Sequence, residues 1–300
     1  MKNQKFGSSL IILAAVLWAL DGITRRSLYH LPPVIIVFYE HLIGLILLSP
    51  FVTKILANQK LTKKVWTLSL IIGLMGGLLG TLFITTALMQ VQFVAFSVVF
   101  LIQKIQPLFT ITSAHFLLKE KIDKRYFKWA LLAIISVFFV TFPNGQINFS
   151  TGAGTIWAAL FSLGAAFFWG TGTTISKMLV GEISDKAATL MRYFTATIFA
   201  LLAVFILGSG PSISIVGPSE AARLTFIALT TGLVAMFMYY KGLRLVEAKV
   251  STILELSFPL IAVFVDMFLY KTFLAPSQYL AAGVLMFAMI KVSQLQTKKS

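Results

Sequence analysis

Residues 14–28 of the chain read AAVLWALDGITRRSL, and residues 165–179 read AAFFWGTGTTISKML. The two stretches share identical residues at a constant offset of 151, and the most distinctive pair is Trp18 and Trp169. At the same offset, His41 corresponds to Arg192. Single pairs of this kind can arise by chance, so the pattern indicates an internal repeat only if it continues along the chain.

A second set of matches extends the pattern at an offset of 152. Gln103 corresponds to Glu255, and Pro107 corresponds to Pro259. Further matches in this register are Leu108/Leu260, Phe116/Phe268, Leu117/Leu269 and Lys119/Lys271. Because two registers that differ by one residue are hard to obtain by accident, we divide the chain into a first repeat over residues 8–142 and a second over residues 153–294.

The composition places both repeats in a membrane. Hydrophobic residues make up 58% of the 300-residue chain, charged residues 12%, and the mean hydropathy is +0.90. A soluble protein has roughly 25% charged residues. The chain has no cysteine, which excludes a disulfide framework, a cysteine-ligated metal site and a thiol nucleophile. Its three histidines are scattered, and we therefore expect neither a metal site nor a cofactor.

Ten apolar segments are long enough to be membrane spans of about 20 residues. They cover residues 8–24, 33–53, 66–89, 93–118, 126–143, 153–177, 187–208, 221–243, 247–270 and 277–294. Each repeat holds five, and an odd number inserts the second repeat with the opposite orientation. The predicted fold is therefore all-α, with ten transmembrane helices in two inverted five-helix repeats. Such inverted repeats are typical of secondary transporters, which hold the substrate between the halves.

The net charge of +15 follows from membrane topology and does not indicate a nucleic-acid partner. Most of the 25 Lys and Arg residues lie at the two termini and in the loops on the same side as the termini. Only Arg25, Arg26, Arg223 and Lys271 fall in the opposite loops. This asymmetry predicts that both termini are cytoplasmic, and contact with anionic membrane lipid at that face is a secondary expectation.

The repeat elements resemble the EamA-like permeases of the drug/metabolite transporter superfamily. The resemblance rests on Trp18-Ala19, on Trp169-Gly170, on the sequence VSTILELSFP at residues 250–259, and on Leu118-Lys119-Glu120. It covers nearly the whole chain and implies ten spans, a location in the inner membrane of a bacterium, and transport of amino acids, other metabolites or drugs. The second repeat departs from the pattern, because Thr272 replaces the residue that matches Glu120.

Lys104 is the most informative ionisable residue inside a predicted span. It lies near the bilayer centre, where a lysine must meet a carboxylate, lose its proton or line a wet cavity. One interpretation is a structural ion pair with Glu255. The other is that Lys104 binds an anionic group of the substrate, with Glu255 or Glu40 as a proton-coupled partner. Gln103 and Glu255 are then predicted to bind substrate as well. A Lys104–Glu255 ion pair that the substrate breaks on binding would combine the two interpretations.

Glu40 and His41 form the second candidate group. Both can change charge near physiological pH when partly buried, so we predict a role in proton coupling. An interhelical hydrogen bond is an equally good alternative, because adjacent helix residues point about 100° apart. Arg192 is a weaker candidate for contact with an anion, since it lies close enough to the span end to extend toward the interface.

Pro107 and Pro259 fall inside spans, where proline kinks or opens a helix. Their equivalent positions in the two repeats suggest gating as well as packing. Trp18, Trp169 and Tyr39 are candidates for a substrate-binding floor, although most aromatic residues in membrane proteins serve packing or interface anchoring.

The predicted function is a permease, acting as an exporter, for a small polar organic metabolite such as an amino acid. We do not predict an enzyme, because the chain lacks the common hydrolase motifs, and direct use of ATP is not expected without a phosphate-binding loop. A flippase for a polar-headed lipid is the main alternative, and an intramembrane enzyme is a weaker one. The expected partners are a small-molecule solute and membrane lipid, with the chain as a monomer or homodimer.

Overall fold

The computed structural model describes residues 2–90, 99, 102–122, 124–146, 154–258, 261 and 275–297. Throughout these ranges the regular structure is helical, and no strand is present. The linker at 147–153 and Pro259 lie outside the described residues. The prediction of an all-α protein is confirmed for the described part of the chain.

The first half contains seven α-helices among the described residues. They are α1 (Lys2–Arg26), α2 (Pro33–Leu48), α3 (Val52–Leu56), α4 (Lys63–Ile72), α5 (Gly80–Gln90), α6 (Gln106–Leu117) and α7 (Lys124–Thr141). A 3₁₀ turn, Ser49–Phe51, joins α2 to α3, and a π-helical segment, Gly73–Leu79, joins α4 to α5. Thr62 begins α4, because its side-chain oxygen accepts from the Val65 N–H.

The second half contains six α-helices among the described residues. They are α8 (Gly154–Glu182), α9 (Asp185–Ile206), α10 (Pro218–Ile227), α11 (Ala235–Leu245), α12 (Ala248–Leu254) and α13 (Pro276–Thr297). A second π-helical segment, Ala228–Val234, joins α10 to α11. Ser184 caps α9 in the same way that Thr62 caps α4, since its side chain accepts from the Ala187 N–H.

Seven helical segments of the described chain are long and apolar enough to cross a membrane. They are Asn3–Asp21, Pro33–Leu56, Lys63–Gln90, Ile156–Glu182, Asp185–Ile206, Pro218–Leu245 and Pro276–Leu295. Each corresponds to one predicted span. The predicted spans at 93–118 and 247–270 include residues outside the described ranges, and α7 is not one of the seven. The total of ten spans therefore stays a prediction.

The helices of the two halves pack against each other in pairs. Helix α1 packs on α11, and α5 packs on α8. Helix α2 packs on α9, and α7 packs on α13. Every one of these pairs joins the first half to the second, so the halves interlock and leave a central space between them. The side chains that point away from the bundle are large and apolar, as a lipid-facing surface requires.

The first π-helical segment lies directly against α9. A Cβ atom added at Gly73 would overlap Thr195, and one added at Gly77 would overlap Ala196. Glycine therefore lets the two backbones approach closely, which is the role that small residues have in membrane helix packing. π-Helical segments are rare and often mark functional sites. The two π-helical segments interrupt the third predicted span of the first repeat and the third predicted span of the second repeat.

Candidate functional site

A cavity of about 230 Å³ lies between the two halves. Its lining comes from both repeats, and it includes most of the residues that the sequence singled out. The predicted site residues that line it are Trp18, Glu40, His41, Gln103, Lys104, Pro107, Trp169, Arg192 and Glu255. The sequence pattern therefore identifies side chains that the fold brings to one place.

Two helix breaks lie beside the cavity, one in each repeat. Lys104 and Ile105 form a turn just before α6, and Glu255 and Leu256 form a turn just after α12. In each turn a backbone N–H bonds the carbonyl three residues earlier, from Ile105 to Ile102 and from Leu256 to Ile253. Helices α6 and α12 pack against each other, so the two breaks are neighbours. Discontinuous helices of this kind supply polar groups at the centre of transporters.

The Glu255 carboxylate is bound by neutral donors. Its Oε1 accepts from the Tyr239 hydroxyl at 3.0 Å and from the Ser251 hydroxyl at 3.0 Å. Its Oε2 accepts from Gln106 Nε2 at 3.1 Å. Gln103 Nε2 in turn donates to Gln106 Oε1 at 2.8 Å. Gln103 thus orients the amide that holds Glu255, and the carboxylate has three hydrogen bonds without a cationic partner.

Lys104 lies beside this carboxylate without forming an ion pair with it. Its Nζ lies 3.9 Å from the centroid of the Phe258 ring, a cation–π contact. No carboxylate oxygen of the described residues lies within 4.0 Å of the Lys104 ammonium. Of the two interpretations that the sequence left open, the structural Lys104–Glu255 pair is absent from this conformation. Lys104 lines the cavity, and its ammonium has no hydrogen bond to another residue in the described ranges.

A buried ion cluster lines part of the cavity. Arg25 Nε donates to Asp21 Oδ2 at 2.6 Å, and Arg25 Nη2 donates to Glu40 Oε2 at 2.9 Å. Thr231 Oγ1 donates to Asp21 Oδ1 at 2.6 Å. The cluster links α1, α2 and the second π-helical segment. The sequence analysis missed Arg25 because it placed the residue in a loop, although its spacing of four residues from Asp21 was a usable signal.

Glu40 and His41 point to different neighbours, as their adjacency on a helix requires. Glu40 reaches α1 through Arg25, whereas the His41 ring packs 5.3 Å from the Tyr193 ring on α9. The His41 Nδ1 lies 2.8 Å from the Val37 carbonyl oxygen, where the ring nitrogen donates. Glu40 therefore makes the interhelical hydrogen bond that the sequence left open beside proton coupling, whereas the hydrogen bond of His41 stays within α2.

The two repeat tryptophans make equivalent bonds. Trp18 Nε1 donates to the Thr231 carbonyl at 3.1 Å, in the second π-helical segment. Trp169 Nε1 donates to the Gly76 carbonyl at 3.2 Å, in the first π-helical segment. Arg192 Nη2 donates to the same Gly76 carbonyl at 2.7 Å. Each indole thus donates a hydrogen bond to the π-helical segment of the other repeat. The guanidinium of Arg192 borders the cavity and does not extend to the membrane interface.

Comparisons with known proteins agree with this two-repeat arrangement. The profile of the EamA-like transporter family matches residues 5–142 and again residues 156–294. The chain belongs to the EamA-like transporter family. The resemblance seen in the sequence is therefore confirmed, and this EamA-like transporter is a multi-pass membrane protein.

The EamA-like transporter is similar over its full length to proteins of two bacteria. It is 36% identical over 302 residues to the riboflavin transporter ImpX of Fusobacterium nucleatum subsp. nucleatum, with 98% of this chain and 100% of that protein covered. It is 26% identical over 308 residues to protein LicB of Haemophilus influenzae, with the same coverage. A solved crystal structure shares its fold, with a TM-score of 0.76 at 15% identity and 97% of each chain covered.

One predicted site residue of the EamA-like transporter, Tyr39, is not among the residues that line the cavity. Its hydroxyl donates to the Ile213 carbonyl at 3.0 Å, and its ring packs on Phe38. Pro107 lies in the first turn of α6, where a missing N–H has no cost, so it stabilises the start of a helix after the break. Its repeat partner Pro259 falls outside the described residues.

Glu120 joins the two repeats of the EamA-like transporter without lining the cavity. Glu120 Oε1 accepts from the Ala248 N–H at 2.8 Å, and Oε2 accepts from the Lys249 N–H at 3.1 Å. The carboxylate therefore caps the start of α12 and joins it to the end of α6. Burial raises the pKa of Glu120 above its ordinary value. This contact gives the Leu118-Lys119-Glu120 element a structural role between the repeats.

Proposed function

We propose that the chain is a secondary transporter of riboflavin, or of a solute that also joins a flat hydrogen-bonding ring to a polar chain. The observation that carries this proposal is the 36% identity to a riboflavin transporter, which extends over both repeats and 98% of the chain. In a transporter of this architecture the substrate lies between the repeats. Similarity over both repeats therefore includes the residues on both sides of the substrate site. The proposed substrate is a small polar organic metabolite, as the sequence predicts, but larger than an amino acid.

The chemistry of the cavity suits such a solute. Trp18 and Tyr239 line it with rings whose centroids are 5.2 Å apart, and Phe258 adds another ring beside Lys104. Flat aromatic ligands gain from offset or tilted contacts with such rings. Gln103, Gln106 and Lys104 supply amide and ammonium groups for the carbonyl, imide and hydroxyl groups of a flavin.

Two sets of contacts between helices could take part in alternating access. The Arg25 cluster lines the cavity and joins α1 to α2, and Glu120, which does not line it, joins α6 to α12. We propose that one set of contacts opens while the other holds, so that the solute meets one side of the membrane at a time. The ten-span inverted topology, with both termini cytoplasmic in an inner membrane, forms part of this proposal.

Glu255 is our preferred site for proton coupling. Its carboxylate is held only by neutral donors, so it can take up a proton without breaking an ion pair. Glu40 remains in the proposal as a second site, and its protonation would weaken the bond to Arg25. Export, rather than uptake, stays a prediction from the sequence, as does the monomeric or homodimeric state.

A thermal-shift screen of purified protein tests the substrate class. Wild-type protein and the Lys104→Met variant are heated with riboflavin, amino acids, nucleosides, organic acids and short-chain phospholipids. Lys128, which is exposed and contacts the Trp129 ring at 5.3 Å, supplies a matched Lys128→Met control. We expect riboflavin to stabilise the wild type and the control but not Lys104→Met. Stabilisation by amino acids and not by riboflavin would overturn the flavin assignment.

A further inference from the structure

Two buried side-chain atoms in the described part of the chain have no hydrogen-bond partner: Arg25 Nη1 and Thr252 Oγ1. Both residues line the central cavity. Arg25 is 8% exposed and Thr252 is 1% exposed. A buried polar atom without a partner is costly, and each one in a native structure calls for an explanation such as a ligand. Because both atoms belong to residues that line one cavity, the solute is a candidate partner for them.

Thr252 differs from the other buried threonines of the described residues. Each of those has a hydrogen-bond partner, and most donate to the carbonyl four residues earlier, as Thr85, Thr189, Thr195, Thr197 and Thr231 do. A threonine in a membrane helix normally satisfies its hydroxyl in this way. Thr252 lies in α12 and does not bond the Ala248 carbonyl. Its hydroxyl is therefore left for a partner that is not part of the helix.

Two of the three guanidinium nitrogens of Arg25 have hydrogen-bond partners, and the third has none among the described residues. Its Nε and Nη2 are bound to Asp21 and Glu40, which fixes the plane of the guanidinium and leaves Nη1 over. The repeat does not require an arginine here, because the corresponding residue at the offset of 151 is Ser176. The arginine is present in only one repeat, and two carboxylates fix the orientation of its guanidinium. Such a group is suited to binding a solute, because the fold that the two repeats share does not require it.

We propose that Arg25 and Thr252 are substrate-binding residues of the cavity, each for a different part of the solute. Arg25 donates from Nη1 to an oxygen of the solute, such as a ring carbonyl. Thr252 exchanges a hydrogen bond with a hydroxyl of the solute. This inference rests on the proposed function and extends it, because it fixes how the solute lies in the cavity.

The positions of the two residues orient a flavin. Trp18 precedes Arg25 by about two helical turns on α1, and its indole bonds the Thr231 carbonyl, while the Thr231 hydroxyl bonds Asp21 of the Arg25 cluster. Thr252 lies on α12, three residues before Glu255 at the helix break. The carbonyl edge of the flavin ring therefore faces Arg25, and the ribityl chain extends toward Thr252.

Equilibrium binding of riboflavin and lumiflavin tests the arrangement. Lumiflavin keeps the ring but carries a methyl group instead of the ribityl chain. We expect Thr252→Val to weaken riboflavin binding about 3- to 10-fold, the effect of one lost hydrogen bond, and to leave lumiflavin binding unchanged. Arg25→Lys is expected to weaken the binding of both ligands by about 10-fold or more.

The controls separate binding from folding. Thr252→Val breaks no internal hydrogen bond, so its thermal midpoint should not fall below that of the wild type. Thr189→Val, in contrast, removes a bond to the Asp185 carbonyl away from the cavity and should lower the midpoint without changing either affinity. Equal riboflavin affinity of the wild type and Thr252→Val would overturn this inference alone. Failure of the wild type to bind riboflavin would overturn the proposed function and the inference with it.

Discussion

Lys104 and Glu255 occupy the two neighbouring helix breaks beside the cavity, yet they do not form an ion pair. The ammonium contacts the Phe258 ring, and the carboxylate is bound by Tyr239, Ser251 and Gln106. Opposite charges left apart in a low-dielectric interior attract each other strongly and need other partners to remain separate. The solute can serve as the partner of Lys104, and a proton as the partner of Glu255.

The first prediction concerns Glu255→Gln. The amide retains an acceptor oxygen for Tyr239 or Ser251, so we expect the variant to fold. Riboflavin exchange across the membrane at equal pH should continue, because exchange needs no net proton movement. Accumulation of riboflavin driven by a pH gradient in proteoliposomes should be lost. Gradient-driven accumulation at the wild-type level would remove Glu255 from the coupling mechanism.

The second prediction uses the equivalent bonds of the two tryptophans. Trp18→Phe and Trp169→Phe each keep an aromatic ring but remove one indole N–H bond to a π-helical segment. Each variant should lose about 1 kcal/mol of unfolding free energy, the usual contribution of one hydrogen bond. Thermal midpoints of the two purified variants provide the measurement. A fall in only one of them would contradict an equivalent role of the two bonds.

The third prediction concerns the buried carboxyl of Glu120. Because burial raises the pKa of Glu120 in the folded protein, the folded state binds more protons than the unfolded state between the unfolded value near 4.5 and the raised pKa. This contribution to stability is present below the unfolded value and is lost as the pH rises through the folded pKa. Glu120→Gln should flatten that part of the profile of thermal midpoint against pH. An unchanged profile in the variant would show that another group causes the slope.

The fourth prediction tests the Arg25 cluster as a closure. Glu40→Gln removes one of the two ion pairs that hold Arg25 and should let this part of the cavity open more often. The chain has no native cysteine, so Met236→Cys can report on access to the cavity directly. We expect maleimide to label this cysteine several-fold faster in the Glu40→Gln background.

A matched control for the fourth prediction is Glu182→Gln. Glu182 forms an ion pair with Lys64 at 2.6 Å, but both side chains are largely in solvent, where such pairs contribute little. Labelling of Met236→Cys should not change in this background. If Glu182→Gln accelerates labelling as much as Glu40→Gln does, the effect is a general loosening and not the opening of a closure.

Many residues of the central cavity could be singled out from the sequence because they are of types that are rare in membranes. Lys104 and Glu255 are costly inside a bilayer, and a cavity between the repeats is where such groups can be placed. The same reasoning did not find the Asp21–Arg25 pair. Both residues lie on the same helix, α1, but the predicted first span ended at residue 24.

Other features depend on the rotation and packing of helices, which a single sequence does not specify. Tyr39 precedes Glu40 by one residue and is turned away from the cavity, toward Ile213. The glycines of residues 73–80 predict close packing but not the π-helical segment that they form. In the sequence, Thr252 cannot be distinguished from other threonines in membrane helices. Only the structure shows that its hydroxyl lacks a hydrogen-bond partner among the described residues.

The most direct test of the central claim is counterflow of labelled riboflavin in proteoliposomes. Vesicles loaded with unlabelled riboflavin and containing wild-type protein, Lys104→Met or Lys128→Met are diluted into labelled riboflavin. The account predicts transient accumulation of label with the wild type and with Lys128→Met, and none with Lys104→Met. Accumulation with Lys104→Met at the wild-type rate would show that the solute does not depend on the cavity at the helix breaks, and would contradict the account.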